Sequence, residues 1–420
     1  MKNRSCFFIE VRYLLGRAHE GGRYLRGAAA GIAVSLIPIM VTLIVADGMI
    51  RGIVDRYLEL GTGHLQVFSF VDPEGLEGVT GKLREIDGVR GVWPEQRGMG
   101  VLVGKKGKAG ASIRAIEPSF WQDRGSLEYL KLVAGTAEAK TERDMLLGES
   151  LAASIGAEIG DTVRLMTISA GADGRNIPRV TAFAVSGIVS SGYHELDALW
   201  CIITHEGGQR ILSSDSSSSL IVKIDYPYTR AEDTVWSLYS ALGAKYSIYT
   251  WKDLMHSQYS SYESTRQMLL FIMALIVIVA AVNVSSATSM LVIERQRDIA
   301  VLKVTGASAN GVAGIFLWGS FLTGLCGAII GIAIGLLLGY FINPLIRSLE
   351  NVLSFFSGMG GGSEVKILDP GFYLETIPII IDWTAVFLIG CFTILCSVAA
   401  SWIPARRAGK LKPMDLLRKN

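Results

Sequence analysis

The sequence is poor in charge and in cysteine pairs. Only 19% of its 420 residues are charged, against roughly 25% in a typical soluble domain. Its five cysteines are scattered, and only Cys201 lies in the longest segment between apolar runs, so no disulfide framework is expected there. No group of cysteines and histidines has the spacing of a zinc site. The sequence therefore indicates neither a disulfide-rich domain nor a zinc protein.

Motifs for nucleotide and hydrolytic chemistry are also missing. The chain has no G-x-x-x-x-G-K-[ST] phosphate-binding loop, and the glycine and lysine run at 104–108 has the wrong spacing. No G-x-S-x-G or H-E-x-x-H pattern occurs. We therefore expect a chain that is not an enzyme, that holds no metal or cofactor of its own and that binds no nucleic acid.

Long apolar runs are abundant instead. A membrane-spanning helix needs about 20 apolar residues, and four stretches meet this requirement. We predict a polytopic α-helical membrane protein with four transmembrane helices, at 27–50, 268–293, 312–342 and 383–403.

Basic residues indicate the orientation of these spans. Lysine and arginine are concentrated in the leader 1–26, in the short connection at 294–308 and in the tail 404–420, whereas the connection 347–382 is mainly acidic. This pattern predicts that both termini are cytoplasmic. The segment 51–267 and the loop 347–382 are then outside.

The segment 51–267 is long enough to form its own core. Helix-like and strand-like patterns follow one another along it, which predicts a large mixed α/β extracytoplasmic domain between the first and second spans. The order of these patterns favours two subdomains. One consists of the two ends of the segment, and the other is inserted at about 117–215.

An Asp-Gly pair lies between two strand-like runs of this domain, which is a hairpin signal. The loop is longer than a plain turn requires. A protruding arm that docks a partner and an ordinary solvated loop fit the pattern equally well. The residues concerned are Asp173, Arg175, Ile177, Pro178 and Arg179.

Glycine recurs at every fourth position of the third span. This spacing places bare backbone on one helix face, where a neighbouring helix can approach closely. Glycine is also common in membrane helices in general, but the regular spacing favours close packing. The four positions are Gly327, Gly331, Gly335 and Gly339.

A charged helix with a short apolar patch follows the second span, at 294–308. Gly306 suits a left-handed C-terminal cap, and Ser308 suits the N-cap of the next helix. Such an amphipathic helix rests on lipid headgroups or fits a groove on a partner, with Ile299 and Leu302 as anchors.

These residues carry a resemblance to a known family. The run from Arg297 to Lys303, followed by Gly306-Ala307-Ser308, resembles the coupling helix of the MacB–FtsX superfamily of ABC transporter permeases. It is closest to the lipoprotein-releasing branch. The segments 404–408 and 411–418 resemble the C-terminal signature of that family, and weaker matches extend over essentially the whole chain.

The resemblance implies a multi-pass membrane subunit in the bacterial inner membrane, which works with a second permease, a copy or a paralogue. Two cytoplasmic ATPase subunits would bind ATP and Mg²⁺. Mechanotransmission from them would drive lipoproteins out of the outer leaflet and onto a periplasmic carrier held by the hairpin. The ATPase-coupling residues would be Arg297, Asp298, Ile299, Leu302, Lys303 and Gly306.

In that branch, lipoproteins enter between the first and second spans. Residues near the outer ends of these spans are therefore expected to meet the acyl chains. Asp47 departs from the family, which more often has a neutral residue there, so its effect on the substrate is open. The expected residues are Met40, Ile44, Asp47, Met268 and Phe271.

Three other functions stay open at this level, one of which is a receptor or scaffold without any ATPase. A MacB-like efflux permease would export a peptide or small amphiphile. An FtsX-like signal transmitter would control a cell-wall hydrolase, although the external domain is large for that branch.

Overall fold

The computed structural model describes residues 21–69, 74–137, 139, 141–170, 176–212, 217–243, 245–359, 374 and 376–411. The chain divides into two compact units. The membrane unit contains Met1–Gly48, Glu263–Val352 and Ile377–Asn420, and the α/β unit contains Met49–Tyr262 and Leu353–Thr376.

The described α-helices are numbered in chain order. They are α1 Gly21–Arg56, α2 Thr80–Arg84, α3 Arg124–Tyr129, α4 Glu149–Ile155, α5 His194–Asp197, α6 His205–Ile211, α7 Ala231–Leu242, α8 Trp251–Leu254, α9 His256–Glu294, α10 Gln296–Val304, α11 Ala309–Tyr340, α12 Ile342–Met359 and α13 Trp383–Lys410. A π-helix, Tyr57–Thr62, continues α1, and 3-10 turns occupy Glu74–Val79 and Pro118–Gln122.

The described strands are also numbered in chain order. They are β1 Leu65–Phe68, β2 Val89–Val103, β3 Lys108–Ile116, β4 Lys131–Gly135, β5 Asp144–Gly148, β6 Thr162–Ala170, β7 Asn176–Ser190, β8 Trp200–Ile203, β9 Ser217–Ile224 and β10 Ser247–Thr250.

Four described helices, α1, α9, α11 and α13, are long and apolar enough to cross a membrane. Helices α1 and α9 extend well beyond the predicted spans, because the polar residues that flank the apolar runs contain no proline. Helix α13 passes through Pro404 and ends at Lys410 instead of 403. These four helices make the chain an integral membrane protein.

The stretch predicted as the loop 347–382 differs from that expectation at its start. Helix α12 occupies Ile342–Met359. Its apolar residues recur at helical spacing, at Leu345, Leu349 and Val352, and these side chains are exposed. The sequence did not predict this helix, because the run follows directly from the third span and leads into a connection that is mainly acidic.

The α/β unit is built on one ten-stranded sheet, with the order β10-β1-β9-β2-β3-β8-β5-β7-β4 and with β6 paired to β2 and β7. Strand β2 holds the sheet together. Its first part pairs with β9 from Val89 to Arg97, and its second part pairs with β3 from Glu95 to Val103.

Three of the apolar cores in the described residues lie along this shared sheet. One contains residues from 65–92 and 220–248, and another contains residues from 102–211. The third contains residues of both parts, among them Trp93, Trp200 and Ile221. Because this third core joins the two ends of the segment to its middle, the division into two subdomains, with the inserted part at about 117–215, stays a prediction.

Candidate functional site

The glycine stripe of α11 faces α1. A Cβ atom added at any of the four positions from Gly327 to Gly339 would come closer than 3.0 Å to atoms of α1. Only glycine therefore allows this approach of the two helices. The side chains of α1 that occupy the space are Ile32, Leu36, Met40 and Ile44.

This contact includes two residues of the predicted lipoprotein entrance, which itself stays a prediction. Met40 is 0% exposed and Ile44 is 2% exposed, because both side chains lie against Gly335 and Gly339. They hold two helices together and do not face lipid. Met268 and Phe271 on α9, by contrast, are exposed.

Asp47 takes part in an ion cluster at one end of the membrane unit. Arg266 of α9 donates from Nε to Asp47 Oδ1 at 2.7 Å and from Nη2 to Asp47 Oδ2 at 3.3 Å. The same Nη2 donates to Asp382 Oδ2 at 2.8 Å. Asp382 is also the N-cap of α13, where its Oδ1 accepts hydrogen bonds from the N–H groups of Thr384 and Ala385. The cluster thus joins three membrane helices.

An apolar groove runs from this cluster between α9 and α13. Its volume is about 440 Å³, which lies in the range of ligand pockets, about 300–1,000 Å³. Residues from Leu270 to Val277 form one wall, residues from Ala385 to Phe392 form the other, and Arg266 and Asp382 lie at its mouth. The groove therefore combines an apolar interior with a charged mouth.

The predicted coupling helix is α10, and one of its faces is turned inward. Ile299 is 2% exposed and is buried with Leu25, Phe316 and other apolar residues of the membrane unit. Ile299 is therefore a packing residue in this chain, and its predicted role as an anchor for a partner stays a prediction. On the opposite face, Val301 is 59% exposed and Val304 is 68% exposed.

Other coupling residues fix the position of α10. Lys303 Nζ donates to the carbonyl oxygens of Gly409 and Leu411, both at 2.6 Å, and so satisfies the C-terminal end of α13. Gly306 has φ +98°, the left-handed conformation expected of the cap. Arg297 and Asp298 are exposed and Leu302 is half-buried, so the surface of α10 is charged with an apolar strip.

The predicted hairpin consists of β6 and β7, which pair as far as Ala170 and Asn176. Asp173 and Arg175 lie outside the described residues. Ile177, Pro178 and Arg179 are exposed. Arg179 Nη1 donates to the carbonyl oxygen of Arg210 at 2.6 Å, so this side chain is tied to the body of the unit.

The two hairpin strands and the adjacent β2 share a sheet face that is apolar and exposed. Val101 on β2 pairs with Met166 on β6, which pairs with Val180 on β7, so the three side chains share a face. Met99 and Ile168 lie two residues along on the same face. All five are exposed. We call this set the apolar sheet patch.

A buried ion cluster joins the end of α1 to the sheet. Lys223 on β9 is 0% exposed, and its Nζ donates to Asp123 Oδ2 at 2.9 Å and to Ser126 Oγ at 2.7 Å. Glu59 on the π-helix lies 3.2 Å from Lys223 Nζ and accepts a hydrogen bond from Arg90 at 2.8 Å. The helical extension of α1 is therefore fixed to the sheet by charge.

The pKa values of this cluster follow from burial and pairing. Burial lowers the pKa of Lys223, and the carboxylates of Glu59 and Asp123 oppose that shift. Burial alone raises the pKa of Asp123, but the hydrogen bond and charge of Lys223 hold it below its usual value.

Among the described residues, no group of three or more His, Cys, Asp or Glu side chains has the arrangement of a metal site.

Comparison with known proteins gives a clear family. The family model described as MacB-like periplasmic core domain matches residues 27–232, and the model described as FtsX-like permease C-terminal matches residues 270–413. The chain belongs to the MacB–FtsX superfamily of ABC transporter permeases.

Relatives of this permease match over its whole length. The lipoprotein-releasing system transmembrane protein LolC of Neisseria meningitidis is 28% identical and covers 98% of each chain. LolE of Haemophilus influenzae is 23% identical and also covers 98% of each chain. The periplasmic region of MacB from Actinobacillus actinomycetemcomitans is 20% identical, with a TM-score of 0.32, over 51% of this chain and 95% of that one. This last likeness is too low to add to the family assignment.

The permease also has functional candidates that the sequence reading missed. Arg266 and Asp382 belong to the ion cluster with Asp47, and they are separated from it by hundreds of residues in sequence. Val301 and Val304 lie on the exposed face of α10, opposite the buried Ile299. Their signal was present as a second apolar stripe on that short helix, but nothing in one sequence tells which stripe is buried.

Proposed function

We propose that this permease is the membrane subunit of an ABC transporter that extracts lipoproteins from the outer leaflet of the bacterial inner membrane. It hands them to a periplasmic carrier. The observation that carries this proposal is the match to LolC and LolE proteins over 98% of both chains, since it includes the membrane helices and the α/β unit together.

The geometry of α10 supports coupling to an ATPase. Val301 and Val304 form an exposed apolar strip beside Arg297, which suits a groove on a partner. Ile299 and Lys303 fix the other face of α10 to the membrane unit. A push on the exposed strip is therefore transmitted to the spans. ATP and Mg²⁺ would be held by two cytoplasmic ATPase subunits, and a second permease would complete the membrane part.

Helix α1 supports transmission of this movement outward. It is continuous from Gly21 to Arg56 and passes into the π-helix. Glu59 on the π-helix is fixed to Lys223 and Arg90 of the sheet. Displacement of this end of the helix therefore moves the strands to which it is bound.

The apolar sheet patch and the adjoining hairpin support docking of the carrier. An exposed patch of large apolar side chains on a soluble surface commonly marks an interaction site. A carrier that receives acylated proteins needs to be held close to the site of release, and this surface offers apolar contact for it.

Purification of the full chain from its own host in mild detergent, followed by mass spectrometry, tests the proposal. An ATPase subunit together with acylated proteins is the expected result, and depletion of the permease should leave outer-membrane lipoproteins in the inner membrane. Drug or peptide hypersensitivity with correct lipoprotein sorting would favour an efflux permease. A division defect alone would favour a signal transmitter. Absence of any ATPase would contradict the transporter assignment.

A further inference from the structure

We propose that the groove between α9 and α13 binds one amine-bearing, zwitterionic phospholipid of the outer leaflet as a resident lipid. The proposal does not depend on which cargo the permease carries. It rests on the shape of the groove and on the charges at its mouth, both of which belong to the membrane unit.

The depth of the groove fits one leaflet. Its α9 wall extends from Arg266 to Val277, a distance of roughly 16 Å at about 1.5 Å per residue. This is about half of the ~30 Å hydrocarbon thickness. A groove that starts at a charged mouth and ends near the middle of the bilayer accommodates acyl chains of one leaflet, with the headgroup at the mouth.

The charges at the mouth select the headgroup. Two carboxylates, Asp47 and Asp382, face a single guanidinium, Arg266, so the cluster carries one net negative charge. A lipid headgroup with a net negative charge is therefore disfavoured at the mouth of the groove. An ammonium group complements the excess carboxylate, whose oxygens have several acceptor sites.

Arg266 has N–H donors available for the phosphate of the headgroup. Its Nε and Nη2 donate to the two carboxylates, whereas Nη1 makes no hydrogen bond within the part of the chain that the structure describes. A guanidinium has five N–H donors, and phosphate and ester oxygens are suitable acceptors. A phosphate next to an ammonium therefore satisfies both the arginine and the excess carboxylate.

The test compares retained lipids in variants of the full chain. Each is reconstituted in nanodiscs with equal amounts of phosphatidylethanolamine and phosphatidylglycerol, then extracted in mild detergent and studied by native mass spectrometry. Ala385→Trp fills the groove, and Phe387→Trp is the matched control because Phe387 is exposed on the same helix. Asp382→Asn removes the charge and keeps the cap, since asparagine and aspartate are equally good N-caps.

The wild type and Phe387→Trp should retain phosphatidylethanolamine in excess. Ala385→Trp should retain roughly tenfold less phosphatidylethanolamine than the wild type, because an indole overfills the groove. Asp382→Asn should reduce the preference over phosphatidylglycerol roughly two- to fivefold, the effect of one partly exposed ion pair. Equal retention in Ala385→Trp, equal retention of both lipids by the wild type, or an acylated protein in place of the phospholipid would overturn the proposal.

A second measurement requires no groove variant and so remains decisive if Ala385→Trp does not fold. Phosphatidylethanolamine with a photoactivatable acyl chain should label the wild-type segments 270–277 and 385–392, which form the walls. Labelling confined to other helices, or crosslinking of these walls to a second protein chain, would overturn the proposal.

Discussion

Arg266 on α9 binds Asp47 on α1 through two of its nitrogens, at 2.7 and 3.3 Å. The residues are 219 positions apart in the sequence. A two-point arginine–carboxylate pair fixes orientation as well as distance, so it holds the ends of two membrane helices in register. Asp47 therefore has an ionic partner and a structural role in this chain.

The first prediction concerns this pair. Asp47→Asn and Arg266→Gln should each lower the thermal midpoint of the full chain in detergent. A double-mutant cycle should give a coupling of roughly 1 kcal/mol, because Arg266 is partly exposed and solvent weakens the attraction. Arg266→Gln with Asp382→Asn provides the matched cycle for the second carboxylate. Additive effects of Asp47→Asn and Arg266→Gln would contradict a direct interaction.

The second prediction concerns the glycine stripe. Gly339→Ala should destabilise the chain by roughly 1–3 kcal/mol, as expected for overpacking, because the new methyl group would overlap Ile44 Cδ1. Ile44→Val removes that atom, and the next nearest atom, Ile44 Cβ, is 3.4 Å from the added carbon. The double variant should therefore be more stable than Gly339→Ala alone.

Thermal unfolding in detergent measures this rescue. Gly314→Ala is the control, since a Cβ atom there meets nothing within 4 Å, and its midpoint should equal or exceed that of the wild type because alanine favours a helix over glycine. If Ile44→Val makes Gly339→Ala worse, the close contact between these two residues is not what requires the glycine.

Local patterns in the sequence predicted much of this architecture. Runs of apolar residues indicated the four membrane helices, and glycine at fixed spacing indicated the face of α11 that α1 approaches. The left-handed Gly306 and the N-cap Ser308 also follow from local chemistry. Such features depend on neighbours in sequence, so one chain is sufficient to find them.

Features that depend on distant partners were not accessible in the same way. Met40 and Ile299 are apolar residues on helices with more than one apolar stripe, and only the packed structure shows that both are buried. The pairing of Asp47 with Arg266, and that of Glu59 with Lys223, joins segments far apart in the chain. Composition and periodicity contain no information on such pairs.

The third prediction concerns coupling to the ATPase. Val301→Asp should reduce the amount of ATPase that copurifies with the permease by about tenfold or more, because a carboxylate buried in an apolar groove costs at least 1–3 kcal/mol. Its effect on the thermal midpoint of the permease should be small, since Val301 is exposed. Ile299→Ala should leave the amount of copurified ATPase nearly unchanged and should lower the thermal midpoint, because it opens a cavity in the core. Normal ATPase binding by Val301→Asp would exclude this face as the contact.

The fourth prediction concerns the apolar sheet patch. Ile168→Asp should weaken crosslinking of the permease to its periplasmic carrier several-fold, because it places a charge in the centre of an apolar contact. Leu132→Asp is the control, since Leu132 is an exposed apolar residue on β4 that pairs with Val189, nine residues along β7 from Val180. An equal loss of crosslinking in both variants would indicate a general effect on the sheet and not a docking surface.

The fifth prediction concerns the buried charge of Lys223. Lys223→Met leaves Glu59 and Asp123 without their shared cation, although Arg90 still contacts both carboxylates. Removal of one partner from a buried ion pair costs roughly 3–5 kcal/mol, so the α/β unit should unfold at a lower temperature. The pKa of Asp123 should also rise, because burial raises it and Lys223 is the largest of the groups that oppose burial, while Arg90 and the N–H of Gly125 remain.

The sign of the pH dependence follows from that pKa. Because the pKa of Asp123 is lowered in the folded protein, its contribution to stability is present above the unfolded value, about 3.9, and is lost as the pH falls through the folded value. The triple variant Lys223→Met, Asp123→Asn, Glu59→Gln removes the uncompensated charges and should be more stable than Lys223→Met alone. It should also show a flatter stability profile below pH 4 than the wild type in full-chain thermal unfolding. A triple variant no more stable than Lys223→Met would mean that the cost arises from lost packing around Lys223 and not from unpaired charge.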